Sequence, residues 1–432
     1  RRLLTRASER NKINLMMEFV QPIVGFFVLL LLGAIFSENI KAIKIKFLII
    51  AVVIQVVLAY ILINLTFISD FIDKYLASGV QKLKEASDEG TAFVFGYLAD
   101  GAPNAPFEVS NEANTFIFAF GGLTLIILMS AISALLWHWR VIPILVNALA
   151  VIFKKPLDVG GPVGLSATAN VFLGQVEAPL LVRPYLASMS KNELLILMTV
   201  GMSTIAGSVM VIYTTMLSSI YGDDLIRHFL TASLISVPAG IMYANIIIPS
   251  DTKTDFPSDN TDKMYSSTMD ALTRGTQAGI DIFLNVAAML IVVIALVFLV
   301  NATLGALPDF QGEPLTLERI FGWIFAPLAW SMGIPWHEAQ ISGELLGVKT
   351  FFNEFVAYIN LSQLEKPLSE KSSLIMLYAL CGFANFSSVG ILLSGMAAMV
   401  PERREDLIAV SFKALWAALL ASCMTGFVVG IL

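Results

Sequence analysis

The chain has 432 residues, 57% of them hydrophobic and 14% charged, with a mean hydropathy of +0.78 and a formal net charge of −6. So little polar surface cannot cover a water-soluble globule of this size, and the sequence reads as a membrane protein. No basic run with interleaved aromatics occurs, which argues against a nucleic-acid partner, and the Gly- and Pro-broken apolar runs lack the alternation of barrel strands, which leaves helices.

In chain order, Arg1 to Lys12 is basic, and the run after it is long enough to span, so no cleavable signal is expected. Spans are predicted at 17–36, 46–69, 113–137, 193–218, 228–249, 278–303, 373–399 and 406–432. Each offers roughly the twenty apolar residues that a helix needs to cross the hydrocarbon core. Over 71–98, Phe71, Ile72, Tyr75, Leu76, Val80 and Leu83 recur at helical spacing among charges, which predicts a helix lying in the interface. An aqueous loop follows over 99–112, and 250–277 is a polar linker between the halves. A second amphipathic stretch, 314–332, carries Trp323 and Trp330 and is expected at the outer interface. Cys381 and Cys423 lie in apolar segments and are expected to be buried thiols.

Two segments, 160–187 and 334–362, carry charged residues and Gly or Pro near their middles. They are expected to enter the membrane and turn back, which is tolerated where the tip is covered by protein or faces a watery cavity. If the first span runs inward, the inner side collects Lys41, Lys44, Lys46, Arg140, Lys154, Lys155, Arg183, Lys191, Lys253, Lys263, Arg274, Arg403 and Arg404. The basic N-terminal segment then lies outside, against that trend.

The two re-entrant segments belong to an internal repeat. Leu173-Gly174 aligns with Leu346-Gly347, and Ala178 to Leu186 with Phe352 to Asn360. An apolar span with a polar break follows each, Met202 to Ser208 against Phe383 to Ser388. Three spans separate the two starting points, and three is odd, so the repeats are inverted. Inverted repeats with discontinuous helices are the architecture of secondary transporters, with the binding site near the bilayer midplane.

Within the repeats, Glu177 and Glu354 are carboxylates deep in apolar sequence, expensive there unless paired or wetted. Structural ion pairs, Glu177 with Arg183 or Glu354 with Lys349, are the alternative to a ligand role. Gln175 carries the donors and acceptor to read a heterocycle edge. Asn385 and Ser388, three apart, are expected on one helix face, opposite a tip carboxylate. Asn170, Thr204 and the carbonyls of Leu173 and Ile205 have the hard-oxygen character that suits a small cation.

Other motifs carry no chemistry. Gly343 to Thr350 has the spacing Gly-x-x-x-Gly-x-Lys-Thr, unlike a phosphate loop. His138, His228 and His337 lack the spacing of zinc ligands, and Trp137, Trp139 and Trp336 suit an interface better than a ligand.

The stretch Asn170 to Leu186 with Gly174-Gln175-Val176-Glu177, then Asn353-Glu354-Phe355-Val356-Ala357-Tyr358, then Ala379 to Ser388 resembles the concentrative nucleoside transporters, in a shorter bacterial form. The resemblance covers essentially the whole chain from the first span. It implies an all-α polytopic membrane protein of about eight transmembrane helices plus two opposed re-entrant hairpins, an inverted-repeat core with broken helices. It further implies a homotrimer in the inner membrane of a bacterium, importing nucleosides such as uridine with Na+ or, in some members, H+. Gln175 and Glu177 would then bind the base, and Glu354, Asn385 and Ser388 the ribose. Val209 and Phe383 would border the pocket, and Asn170, Leu173, Thr204 and Ile205 would hold Na+. Val176 stands where the family often has Thr, which removes a hydroxyl beside the base.

The expected organisation is two spans and an interfacial helix over 1–112, a scaffold span and linker over 113–159, and repeat 1 over 160–250. The linker, sixth span and outer helix take 251–333, and repeat 2 takes 334–432. A carrier for another polar solute is the nearest alternative. An intramembrane enzyme lacks a Ser-His, paired-Asp or His-x-x-x-His arrangement in the spans, so no catalytic residue or cofactor is expected. A passive channel is a further option.

Overall fold

The computed structural model describes residues 20–66, 70, 74, 75, 78–100, 108, 117–222, 224–254, 264–310, 312–364 and 366–432. The basic segment Arg1 to Lys12, parts of 71–77, most of 99–112 and the centre of the polar linker lie outside the described residues. What is described is helical, with the isolated bridge Phe310 to Glu313 as its sole β feature. The chain runs through α1 (Val20–Ala34), α2 (Ile45–Asn64), α3 (Ser78–Phe95) and α4 (Phe118–His138). Next come α5 (Val141–Lys154), then α6 (Gly161–Ala169) and α7 (Glu177–Leu180), the arms of the first hairpin.

The span predicted over 193–218 is two helices, α8 (Lys191–Ser203) and α9 (Gly207–Tyr221). Ser190 and Glu193 form a capping box that fixes the start of α8, the N–H of Ser190 donating to Glu193 at 2.9 Å. Then α10 (Leu225–Ile247) and α11 (Thr268–Leu304) lead into the second half. There α12 (Leu317–Ser331) precedes the second hairpin, α13 (Trp336–Phe351) and α14 (Glu354–Ser362). The second broken span is α15 (Glu370–Leu380) and α16 (Phe386–Met399), and α17 (Arg404–Gly430) closes the chain.

Both hairpins and both breaks therefore form within the segments where charged residues, Gly and Pro, and the polar interruptions of the spans, predict them. Three readings change. The stretch Gly347 to Thr350 is helical, and the second tip narrows to Phe352-Asn353. Gly347 serves packing instead: a Cβ there would collide with the Phe321 ring. Second, 314–332 is no simple surface helix, since Phe321, Gly322, Phe325, Ala326, Leu328, Ala329 and Ser331 are buried. A Cβ on Gly343 would come within 2.7 Å of the backbone at Ala326 and Gly322, so α12 and α13 touch nearly backbone to backbone. Third, the repeat register shifts: Glu177 and Glu354 are each the first residue of a hairpin's second arm and are structural equivalents.

Helices α8, α10 and α17 form the buried core, whereas α11 exposes Ile291, Ile294 and Phe298 as lipid-facing or subunit-facing residues do. Several of the basic residues expected on one side do meet there. Lys44 pairs with Asp251, Lys253 with Asp158, and Lys191 with Asp406 at 3.1 Å, while Arg403 donates to the carbonyls of Ala187 and Met189. Glu338, beside His337, accepts the N–H and hydroxyl of Ser369 at 2.8 Å each, so this charge anchors the start of α15 rather than a metal.

The α4–α11 contact rests on Gly275 and Gly279, a small-xxx-small pair: a Cβ on Gly279 would come within 2.6 Å of Ile127 Cα. Gly279→Leu is expected to cost about 1–3 kcal/mol of stability by forcing the helices apart. A fall in the melting temperature of the detergent-purified protein checks this. An unchanged melt would contradict the contact.

A second tie lies at the start of α10. Asp224 accepts from Arg227 at 2.8 Å and lies 3.2 Å from His228 Nε2, while His228 Nδ1 lies 2.9 Å from the Tyr378 hydroxyl. The bond to His228, helped by Arg227, pulls the Asp224 carboxyl down from 3.8 to about 2. A lowered carboxyl stabilises the fold above its unfolded value and loses that contribution as pH falls from 3.8 to about 2. Asp224→Asn is therefore expected to melt below the wild type at neutral pH, with the difference closing across that acid window in a thermal melt series.

Candidate functional site

A cavity of about 260 Å³ opens between the two hairpin tips, the two broken spans and the inner faces of α4 and α11. Among the sequence-predicted residues, Gln175, Val176, Glu177, Val209, Glu354, Phe383, Asn385 and Ser388 all line it. So does Leu173, whereas Asn170, Thr204 and Ile205 are buried behind the wall.

The polar centre of the cavity is Glu354. It is buried at 6% exposure, and its carboxylate accepts the Tyr213 hydroxyl at 2.8 Å and the Asn385 amide at 2.8 Å. Asn353 caps α14 by accepting the N–H of Val356 at 2.9 Å, which places Glu354 in the first turn, where the helix dipole favours a negative charge. Asn385 caps α16 in the same way, accepting the N–H of Ser388 at 2.7 Å. Asn385 and Ser388 are thus joined as cap and first turn, and not as neighbours on a helix face.

No ion pair joins Glu354 to Lys349 or Glu177 to Arg183 among the described residues. The Glu177 carboxylate instead folds back over Gly174, where a Cβ would collide with it. Gln175 is 8% exposed, and its Oε1 has no partner in the protein. A buried acceptor without a donor is costly, and a ligand N–H would satisfy it. Val176 packs on Gly395, with only methyl groups at the position.

The proposed cation residues share a framework. The Gly207 N–H, at the start of α9, donates to the carbonyl of Phe172 in the first tip at 3.1 Å, so the tip and the first break are tied together. Asn170 ends α6, its amide donating to Ser166 O at 3.1 Å while Oδ1 stays without a partner. The Thr204 hydroxyl donates to Val200 O at 2.9 Å, which leaves its lone pairs free to accept, and Ile205 O receives only a 3.4 Å bond from Ser233. Neutral oxygens with spare lone pairs fit a small hard cation. No His, Cys, Asp and Glu group able to hold a transition metal is found among the described residues.

Tyr213 was not singled out by sequence. The signal was present: Val209, Ile212 and Tyr213 have the spacing of one helix face, and all three line the cavity. Ala278, Ile282, Asn285, Val286 and Met289 form a similar stripe on α11, with Asn285 as its amide. The lining is mostly apolar and includes no Lys, Arg or His among its described residues. It suits a neutral solute with an apolar body and several donors, and disfavours an anion.

Comparison with known proteins agrees with this geometry. Residues 24–98 and 228–430 match the N-terminal and C-terminal models of the Na+ dependent nucleoside transporters, and 119–220 match a nucleoside recognition model. The chain is 34% identical over 415 residues to the nucleoside permease NupC of Helicobacter pylori, covering 95% of this chain and 96% of that one. It is 31% identical over 381 residues to the sodium/nucleoside cotransporter 1 of Rattus norvegicus, covering 83% and 55% of the two chains. The fold superimposes on CNTnw in an inward-facing substrate-bound state with a TM-score of 0.86 at 31% identity, over 96% and 98% of the chains. With the N- and C-terminal models and full-length relatives in agreement, this chain belongs to the Na+ dependent nucleoside transporter family.

Proposed function

We propose that the protein imports nucleosides, uridine among them, by symport with a cation, Na+ ahead of H+, across the inner membrane of a bacterium. The observation that carries the reading is Glu354, a buried carboxylate held by Tyr213 and Asn385 on the wall of an apolar cavity with no cationic side chain. Glu354, Asn385 and Ser388 take the ribose hydroxyls, Gln175 and Glu177 the base edge, and Val209 and Phe383 flank the solute. Val176 offers the base only methyl groups, so base discrimination rests on Gln175 and Glu177.

The cation binds at Asn170, Thr204 and the carbonyls of Leu173 and Ile205. Because the first tip and the first break share the Gly207 to Phe172 bond, a cation there orders Gln175 and Glu177 and raises nucleoside affinity. By reciprocity the nucleoside raises cation affinity equally. The hairpins and broken spans, with α5 and α12 packed on them, move as a transport domain past α4 and α11. Those two helices form the scaffold of a homotrimer, supported by the apolar outer face of α11. The side carrying Lys44, Lys191 and Lys253 faces the cytoplasm.

Uptake of labelled uridine into proteoliposomes should rise with an inward Na+ gradient. No uptake under a Na+ or a proton gradient would falsify the proposal. Glu354→Gln is expected to weaken uridine binding about ten- to a hundredfold, the worth of a hydrogen bond or two to a charged group. Asn170→Ala should raise the Na+ concentration needed for half-maximal uptake with less effect on uridine affinity at saturating Na+. Wild-type uridine affinity in Glu354→Gln would remove the ribose assignment.

A further inference from the structure

The two broken spans are equivalent in the repeat, yet their mid-membrane ends are finished differently. At the end of α15, three successive carbonyls each receive a donor. Leu377 O accepts the Tyr358 hydroxyl at 2.8 Å, Tyr378 O the Cys381 N–H at 3.1 Å, and Ala379 O the Lys349 ammonium at 2.8 Å. Lys349 is fully buried and lies in the last turn of α13, the first arm of the second hairpin. This bond joins Lys349 to the negative end of a half-helix, where a cation is stabilised. The Glu354 carboxylate, bonded to Tyr213 and Asn385, opens the other arm of the same hairpin.

At the end of α8 the supply of donors is reversed. The Thr204 N–H and hydroxyl both turn back to Val200 O, at 3.2 Å and 2.9 Å. The first hairpin brings two acceptors to this region, Asn170 Oδ1, at the end of its first arm, and Gln175 Oε1, both buried and without partners. Gln175 packs against α8 itself, since a Cβ on Gly201 would lie 3.4 Å from Gln175 Cβ. Repeat 1 thus leaves amide oxygens without a donor on the hairpin beside α8, where repeat 2 sets an ammonium on the end of α15. Asn170 and Lys349 each stand at the end of a hairpin's first arm, and Gln175 in the tip that follows the first of them.

We infer that Lys349 is a tethered cation, holding in the second repeat the place that the mobile coupling cation takes in the first. This position in the second repeat then takes no mobile cation, because a side chain already fills it. Lys349 is a positioning residue: it closes the end of α15 and keeps a positive charge beside the Glu354 and Asn385 pair without touching the solute. The inference rests on the proposed cation role of repeat 1, and its test is arranged so that the two can fail separately.

Two variants of the full chain in detergent decide it. Lys349→Ser removes the charge and leaves room for a hydrated ion, whereas Lys349→Met removes the charge and keeps the volume. Melting temperatures are compared in NaCl and in choline chloride at equal ionic strength, without nucleoside. Lys349→Ser is expected to melt low in choline and to regain stability in Na+, with a shift about twice that of the wild type as a second ion binds. Lys349→Met is expected to keep the wild-type Na+ shift and to lose about tenfold in uridine affinity measured in Na+. A wild-type Na+ shift in Lys349→Ser, or wild-type uridine affinity in Lys349→Met, overturns the inference. Should Lys349→Ser not fold, the uridine affinity of Lys349→Met decides alone. A wild type that binds no uridine sinks the nucleoside reading, and the melting comparison, which contains no nucleoside, still decides this one.

Discussion

A helix that stops in the middle of a bilayer leaves carbonyl and N–H groups with no water to satisfy them, and this structure is arranged around that demand. Among the described residues two spans break in this way, at 204–206 and 381–385. The N-terminal ends are met by caps: Asn353 and Asn385 each offer a side-chain oxygen to the first turn, and Phe172 offers a carbonyl to Gly207. The C-terminal ends are met by side chains from α13, α14 and the break itself. Each hairpin therefore supplies the partners that its neighbouring broken span lacks, which is why hairpin and break recur together in both repeats.

Bringing four interrupted helices to one level also requires close backbone approach. Gly382 meets that need directly: its φ of +122° is poorly tolerated by residues with a side chain, and a Cβ there would fall 2.7 Å from Ser203 O, so the two breaks lie against each other. Gly343 performs the same service between α12 and α13, and Gly275 and Gly279 between α11 and α4. Small residues at such contacts are how membrane helices gain packing where lipid offers no hydrophobic drive.

Much of this was legible in the sequence, and for a physical reason. A carboxylate or amide in an apolar run is expensive, so Gln175, Glu177, Glu354 and Asn385 stand out, and the structure gathers them in one cavity. The breaks at Thr204 and Asn385 were visible for the same reason. Residues whose types are ordinary in a membrane helix were not. Tyr213 lies in an unremarkable apolar stretch, and its role appears only once the second hairpin lies against α9. Spacing alone also misread Asn385 and Ser388, because a capping residue lies outside the helix whose first turn it serves. The repeat register slipped where Gly347 drew Gly174 as its match, although one glycine lies in a tip and the other in a helix packed on Phe321.

The same chemistry that builds the site offers a route for coupling. On the second-repeat side of the cavity, Glu354 has its two donors, Asn385 its cap and Ala379 its ammonium. In the first repeat the account stays open at Asn170 Oδ1 and Gln175 Oε1. A site with complete internal bonding is held rigid whether or not a solute is present, whereas one with orphaned acceptors gains order when an ion and a ligand donor arrive. On the proposed assignment, the ribose half is preformed and the base half is completed by the cation. The dependence of transport on its driving ion then follows from which repeat carries its positive charge on a side chain and which must borrow it from solution.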